Sequence, residues 1–399
     1  MSRMPGFVLV GLLAASLLLR VWLAWRQARH CRHADDARSG RYATARAGFA
    51  VGVAACEAGL ILAVTLGGFI AWLDRVWGSS PMAGAGMVAS VVLAFGLLGA
   101  AGRVGQSLII DARFGPEGGS PEGGRLGASL AGAVVAVAAS VVLAALAGQA
   151  LGWLVATYPT VWWVWATILA GVGLGAKAGL GPRGPSRGSA VADPAGAASL
   201  SAALARCGLP NTPIRVRTSP AGARRANARI AGAGSALHVE VSDTLLALLT
   251  QAEIEAVLAH EAGHWRCHHL ARDLAAQVGL VAAGFAALAL AMRAPEIALG
   301  LGVPEPTPAG WLALAVALTP LAWFFARPLR AGQRRRFEYE ADAFAARHAD
   351  AGALMRAVGK LNAANATPPA SDPLYARVYS FHPDEQDRFA RLRAVGGAA

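Results

Sequence analysis

Five consecutive residues, HEAGH at positions 260–264, have the types and spacing of a metal-dependent active site. Residues four apart lie on one face of a helix, so His260 and His264 can direct both imidazoles at a single Zn²⁺ ion. Glu261 lies beside this pair, where a carboxylate can take a proton from water on the metal. The pattern H-E-x-x-H is typical of zinc metallopeptidases, although so short a pattern also occurs by chance.

A catalytic zinc site usually has three protein ligands and one open position, so a third ligand is needed. Metzincins use a His six residues after the second motif His, but Leu270 occupies that position here. A later segment offers carboxylates instead. Glu338 and Asp342 are four residues apart and share a helical face, whereas Glu340 points about 160° away from them. We therefore predict that Glu338 binds the metal and that Asp342 accepts the free N–H of a ligand histidine.

The composition predicts that this site belongs to a membrane protein. The chain of 399 residues is 55% hydrophobic and only 15% charged, whereas soluble domains have about 25% charged residues. Seven apolar segments are long enough to cross a hydrocarbon core about 30 Å thick. The predicted spans are residues 5–25, 48–73, 82–102, 127–152, 159–179, 274–292 and 309–327.

The formal net charge of +12 comes from arginines in loops that adjoin apolar spans. A nucleic-acid-binding face would instead interleave basic and aromatic residues, so no nucleic-acid partner is expected. The alternation of arginine-rich and arginine-poor loops predicts an outside N-terminus and a cytoplasmic C-terminus. We therefore expect the active site on the cytoplasmic side of a bacterial inner (plasma) membrane.

These patterns predict four regions along the chain. Residues 1–179 form a membrane region with five transmembrane helices, and residues 180–273 form a cytoplasmic metallopeptidase domain containing the HEAGH helix. Residues 274–327 supply transmembrane helices six and seven. Residues 328–399 form a cytoplasmic C-terminal part that supplies the third zinc ligand.

Short patterns in the second region predict strands at residues 213–217 and 237–241, because apolar and polar residues alternate there. Thr250 and Glu253 have the spacing of a capping box that begins the HEAGH helix. We expect the strand at 237–241, including His238 and Val239, to bind an extended substrate by backbone pairing.

Several segments resemble integral-membrane zinc metallopeptidases of the CAAX prenyl endopeptidase type, whose bacterial relatives include HtpX-like proteases. The similar segments are 107–115, which resembles a loop of the family, 227–228, 241–246, 260–265, 337–342 and 380–383. The resemblance implies a mainly α fold, with about seven transmembrane helices around an intramembrane chamber and a small α+β domain of gluzincin type. It also implies one Zn²⁺ per chain as the cofactor.

The resemblance further implies that Asn227 and His382 line the active site. Asn227 would bind substrate, and His382 would act as a catalytic residue that contacts the substrate carbonyl. Two positions depart from the family pattern, since Ala262 replaces a bulky residue and Arg229 replaces an aromatic one. These departures leave the substrate preference open.

The function predicted is zinc-dependent hydrolysis of peptide bonds with Glu261 as the general base. The expected partners are a peptide or membrane-protein substrate and the lipid bilayer, with the oligomeric state left open. One alternative is a quality-control protease that degrades damaged membrane proteins. Another is a non-catalytic sensor or scaffold with structural zinc, but such sites have four ligands and the sequence offers no convincing fourth.

Overall fold

The structure is a computed structural model and is mainly helical. It describes residues 3–32, 37–78, 80–114, 123–179, 189, 191, 193–218, 226–232, 234–364 and 371–396. The chain forms two compact units. The first unit comprises residues 1–171, 278–328 and 371–375, and the second comprises residues 172–277, 329–370 and 376–399.

The N-terminal part of the chain is a succession of apolar helices. They are α1 (Met4–Cys31), α2 (Ala37–Val64), α3 (Phe69–Trp77), α4 (Ala83–Gly105), a π-helix (Gln106–Asp111), α5 (Ala112–Phe114), α6 (Gly123–Thr157) and α7 (Trp162–Gly179). Helices α4 and α6 pack closely because glycines meet between them. A Cβ atom on Gly84 would lie 2.7 Å from the carbonyl oxygen of Gly148, so side chains would separate the two helices.

The middle of the chain contains the only strands among the described residues. The elements are α8 (Pro194–Arg206), β1 (Ile214–Arg217), β2 (Ala228–Ala231), a short 3₁₀ helix (Gly234–Ala236), β3 (His238–Ser242), α9 (Asp243–Leu248) and α10 (Gln251–Arg266). The remaining helices are α11 (His269–Ala291), α12 (Pro295–Gly300), α13 (Pro308–His348), α14 (Ala351–Ala364), α15 (Pro373–Tyr379) and α16 (Glu385–Gly396).

Six helical segments among the described residues are long and apolar enough to cross a membrane. They are Met4–Cys31, Ser39–Val64, Ala83–Asp111, Leu130–Thr157, His269–Ala291 and Pro308–His348. The fifth predicted span coincides with α7, an 18-residue helix that is not among the six. The prediction of a multi-pass membrane protein is confirmed, and the predicted number of seven spans is approximate.

Two predicted boundaries differ from the structure. The second span was expected at 48–73, but α2 ends at Val64 and α3 begins separately at Phe69. Gly68 has a φ of 83°, a left-handed conformation that glycine adopts freely and that ends a helix. The segment 107–115, expected as a loop, is helical through Phe114, and Gly115 lies outside the described residues.

The three strands form a sheet in the order β1-β3-β2. β1 runs parallel to β3, with Ile214 opposite Val239, and β2 runs antiparallel to β3, with Ala228 opposite Val241. All five residues of β3 are buried. The prediction that His238 and Val239 pair with a substrate is therefore wrong, because β3 is the central strand and has a neighbouring strand on each side.

Local sequence explains how β3 leads into the HEAGH helix. The Ser242 hydroxyl accepts a hydrogen bond from the backbone N–H of Leu245 and so caps α9. The predicted capping box at the start of α10 is present, with the Thr250 N–H donating to Glu253 at 2.9 Å. Lys360 on α14 lies 2.7 Å from the same carboxylate. The beginning of α10 is thus fixed by side chains from two helices.

Candidate metal centre

The HEAGH helix α10 and the helix α13 approach each other at a glycine of the motif. A Cβ atom on Gly263 would lie 2.9 Å from the Cα of Ala341, which is closer than real Cβ atoms come. Ala262, beside this glycine, is fully buried in the core of the second unit. The glycine at position 263 therefore allows α10 to lie directly against α13, on which Glu338 is found.

The donor atoms of His260, His264 and Glu338 converge on one point. The two Nε2 atoms are 3.2 Å apart, and each lies 3.7 Å from one oxygen of the Glu338 carboxylate. Tetrahedral zinc with Zn–N distances of about 2.0–2.1 Å requires ligand atoms about 3.3 Å apart. The two nitrogens and the carboxylate thus have the chemistry and spacing of three zinc ligands.

Asp342 contacts the ring nitrogen of His260 that lies away from the other donor atoms. Its Oδ1 atom lies 2.9 Å from Nδ1 of His260, and Arg388 on α16 donates to both of its oxygens at 2.8 and 2.6 Å. An ionised carboxylate only accepts hydrogen bonds, so the contact favours a proton on Nδ1 of His260. The lone pair of Nε2 is then directed at the point where the donors converge.

Glu261 follows the first histidine on α10 and is partly buried. Burial raises the pKa of its carboxyl to about 7, although the neighbouring His260 opposes this effect. A carboxyl with a pKa near neutrality accepts and releases protons readily at physiological pH. Burial also lowers the pKa of His264 to about 4, so its imidazole is neutral at pH 7, as a metal ligand must be.

His382 joins the same group from the segment between α15 and α16. Its Nδ1 atom lies 3.2 Å from Oε1 of Glu338, and its side chain is 78% exposed. The contact with Glu338 raises the pKa of His382. Arg335 on α13 holds this segment by donating to the carbonyl oxygens of Ala376 and Ser380 at 3.0 and 2.7 Å.

The other predicted substrate residues lie on the sheet. Asn227 is exposed and precedes β2, and its backbone exchanges hydrogen bonds with Ser242. His238 contacts the Ala236 carbonyl and the Glu240 carboxylate. Arg229, one of the two departures from the family pattern, donates to the same carboxylate at 2.8 Å. The structure thus places His238 in a polar group of the sheet and Asn227 at the start of its edge strand.

Three residues that contact the site were not predicted to do so. Arg388 and Arg335 act from helices or loops remote in sequence, and no regular spacing relates them to HEAGH. His269 lies next to His264 in space, with 2.8 Å between their Nδ1 atoms. Its offset of five residues suggests opposite faces of one continuous helix. The two rings meet because α10 ends at Arg266 and a new helix begins at His269.

Comparison with known proteins gives two kinds of similarity. Residues 197–395 match peptidase family M48. The CAAX prenyl protease 1 homolog of Arabidopsis thaliana is 32% identical over 146 residues, which are 36% of this chain and 34% of the relative. The corresponding human protein is 30% identical over 157 residues, 36% of this chain and 30% of the relative. The chain thus spans about a third of the length of these curated relatives.

A solved structure resembles the whole chain. The crystal structure of S. mikatae Ste24p superposes with a TM-score of 0.80 and covers 97% of this chain and 98% of its own. Sequence identity in this comparison is 18%, so the likeness establishes the fold alone.

Proposed function

Since the chain belongs to peptidase family M48, we propose that it is a zinc-dependent endopeptidase of the membrane that hydrolyses peptide bonds. The observation that supports this proposal best is the convergence of His260, His264 and Glu338 with Glu261 beside them. A site that only binds metal for structural reasons has no need of a partly buried carboxyl at this position.

In the proposed centre, His260, His264 and Glu338 would hold one zinc ion. When bound, zinc would supply Lewis-acid chemistry that activates water and polarises a peptide carbonyl. Asp342 and Arg388 fix the orientation of the His260 ring, so that a lone pair faces the metal position.

Glu261 moves the proton that hydrolysis requires. Its carboxylate takes a proton from the attacking water and then delivers it to the nitrogen of the leaving amine. Its position directly after His260 on α10 supports this role. His382 has one ring nitrogen against Glu338 and its side chain exposed. The other nitrogen is therefore free to approach the carbonyl oxygen of a substrate.

The sheet offers a binding edge for an extended substrate at β2. Asn227 and Ser242 are a hydrogen-bonded pair, because the Ser242 N–H donates to the Asn227 carbonyl. Along antiparallel strands, hydrogen-bonded pairs alternate with pairs whose backbone groups point away from the partner strand. The backbone N–H and C=O of Arg229 therefore point toward β3, and those of Ala228 and Ile230 point outward. We propose that substrate pairs with these outward groups, in place of the strand predicted from sequence.

The proposed substrates are peptide segments of membrane-associated proteins. The similar proteins from Arabidopsis thaliana and Homo sapiens are named CAAX prenyl proteases, which makes lipidated peptides the first substrates to test. We propose that the centre lies on the cytoplasmic side of a plasma membrane, and the distribution of loop arginines supports this proposal.

The direct test compares the purified protein with its Glu261→Gln variant on a fluorogenic peptide, with and without a C-terminal prenyl group. We expect cleavage by the wild type, inhibition by a zinc chelator and recovery when zinc is returned. The variant should bind zinc and leave the peptide intact. Wild-type rates in the Glu261→Gln variant, or cleavage that a chelator does not affect, would refute the proposal.

A further inference from the structure

His264 has a contact that metal binding alone does not explain. Its Nδ1 atom lies 2.8 Å from Nδ1 of His269, and Nε2 of His269 lies 3.0 Å from Oε2 of Glu340. Arg272 donates to both oxygens of that Glu340 carboxylate. A chain of hydrogen bonds therefore runs from the Arg272–Glu340 ion pair through His269 to His264.

The fold brings His269 to this position by a sharp reversal of the chain. Helix α10 ends at Arg266 and α11 begins at His269. Between them, His268 adopts a φ of 54°, in the left-handed region. The ring of His269 is buried and stacks on Phe337, with 4.3 Å between ring centroids. The imidazole is thus held between a ring of α13 and its two hydrogen-bond partners.

The order of donors and acceptors determines where each proton lies. An ionised Glu340 only accepts, so Nε2 of His269 carries the proton. A neutral imidazole has one donor and one acceptor, so Nδ1 of His269 is then an acceptor. It must receive its hydrogen bond from Nδ1–H of His264. Consequently Nε2 of His264 is left with a lone pair, and this is the atom that lies 3.2 Å from Nε2 of His260.

We infer that His269, oriented by Glu340, is a positioning residue that fixes the tautomer and ring orientation of His264 for metal binding. His269 thus orients the ring of His264 through its Nδ1 atom, as Asp342 orients the ring of His260. The inference rests on the proposed zinc centre, but it concerns binding of the metal and not cleavage of a substrate. The two are therefore separable by experiment.

The test measures zinc affinity of the full-length protein by competition with a chromogenic chelator. His269→Phe keeps a ring against Phe337 and removes the acceptor, and we expect zinc to bind about 10–100-fold more weakly. His269→Asn keeps an oxygen acceptor close to the position of Nδ1, so its affinity should stay within a few-fold of the wild type. Glu340→Leu should weaken zinc binding as His269→Phe does, although Glu340 contacts neither His260 nor His264 through any described hydrogen bond.

His268→Asn is the matched control, because His268 is exposed and asparagine tolerates the left-handed conformation. Its zinc affinity should equal that of the wild type. Equal zinc affinity in His269→Phe and the wild type would overturn the inference, as would equal losses in His269→Phe and His269→Asn. A wild type that binds zinc but cleaves no peptide would refute the proposed function and leave this inference intact.

Discussion

Asp342 accepts hydrogen bonds from Arg388 on both carboxylate oxygens, and the oxygen nearer to His260 lies 2.9 Å from its Nδ1 atom. Arg388 follows Asp342 by 46 residues, so a C-terminal helix supports His260, a proposed ligand on α10, through a residue of α13. The relationship means that the proposed metal centre is complete only when α16 has packed against the rest of the second unit.

Replacing Asp342 by asparagine tests this support. The amide keeps one oxygen acceptor and replaces the other with an NH₂ donor. This NH₂ group then faces an N–H donor of Arg388 or of His260, and that hydrogen bond is lost. We expect zinc affinity to fall by about 10–100-fold, as measured by chelator competition. Asp350→Asn is the control, because Asp350 caps α14 and asparagine caps helices equally well. Unchanged zinc affinity in Asp342→Asn would show that this carboxylate does not orient His260.

Replacing Glu261 by glutamine tests the proton transfer. Glutamine has the shape of glutamate but cannot take a proton, and general base catalysis contributes about 10²–10⁴-fold to rates. We expect kcat to fall by that factor while zinc content, measured by mass spectrometry, stays at one ion per chain. Glu255→Gln makes the same change six residues earlier on α10, where the carboxylate pairs with Arg206, and should leave kcat unchanged. Loss of zinc from Glu261→Gln would instead assign that residue to metal binding.

The parts of this centre that follow a helical period were predictable from sequence. His260, His264, Glu338 and Asp342 obey the four-residue spacing of a helical face, and Thr250 begins α10 with a recognisable capping box. Gly263 was visible too. Its effect, direct packing of α10 on α13, depends on which helix lies opposite, and spacing within one helix does not specify a neighbour.

The parts that depend on pairing between distant segments were not predictable. Alternation identified residues 237–241 as a strand, but it does not show whether a strand lies at the centre or the edge of a sheet. β2 has only four residues, with Arg229 among them, too few for a clear period. The contact between His264 and His269 depends on the conformation of His268, a backbone angle that the residue type does not specify.

Replacing Arg335 by methionine tests how the segment with His382 is held. The side chain would keep its apolar stem and lose the hydrogen bonds to the carbonyls of Ala376 and Ser380. Each lost hydrogen bond costs about 0.5–1.5 kcal/mol, so we expect the segment to loosen and kcat to fall by about 2–10-fold per bond with zinc affinity unchanged.

Arg336→Met provides the control for Arg335→Met. Arg336 is the next residue of α13 and is exposed, and its replacement by methionine removes the same charge. Its kcat should match that of the wild type. If both variants lose activity equally, net charge and not the position of His382 would be responsible.

Replacing Ile230 by proline tests the proposed substrate edge of β2. The backbone N–H of Ile230 faces away from β3, so proline removes an outward donor without breaking the sheet, as edge strands allow. One lost backbone hydrogen bond corresponds to about a 2–10-fold change in affinity. We therefore expect KM for the peptide to rise by about 2–10-fold with kcat and zinc content nearly unchanged. Ile230→Val keeps the N–H and should behave as the wild type. A KM in Ile230→Pro equal to that of the wild type would show that substrate does not pair with the backbone N–H of residue 230.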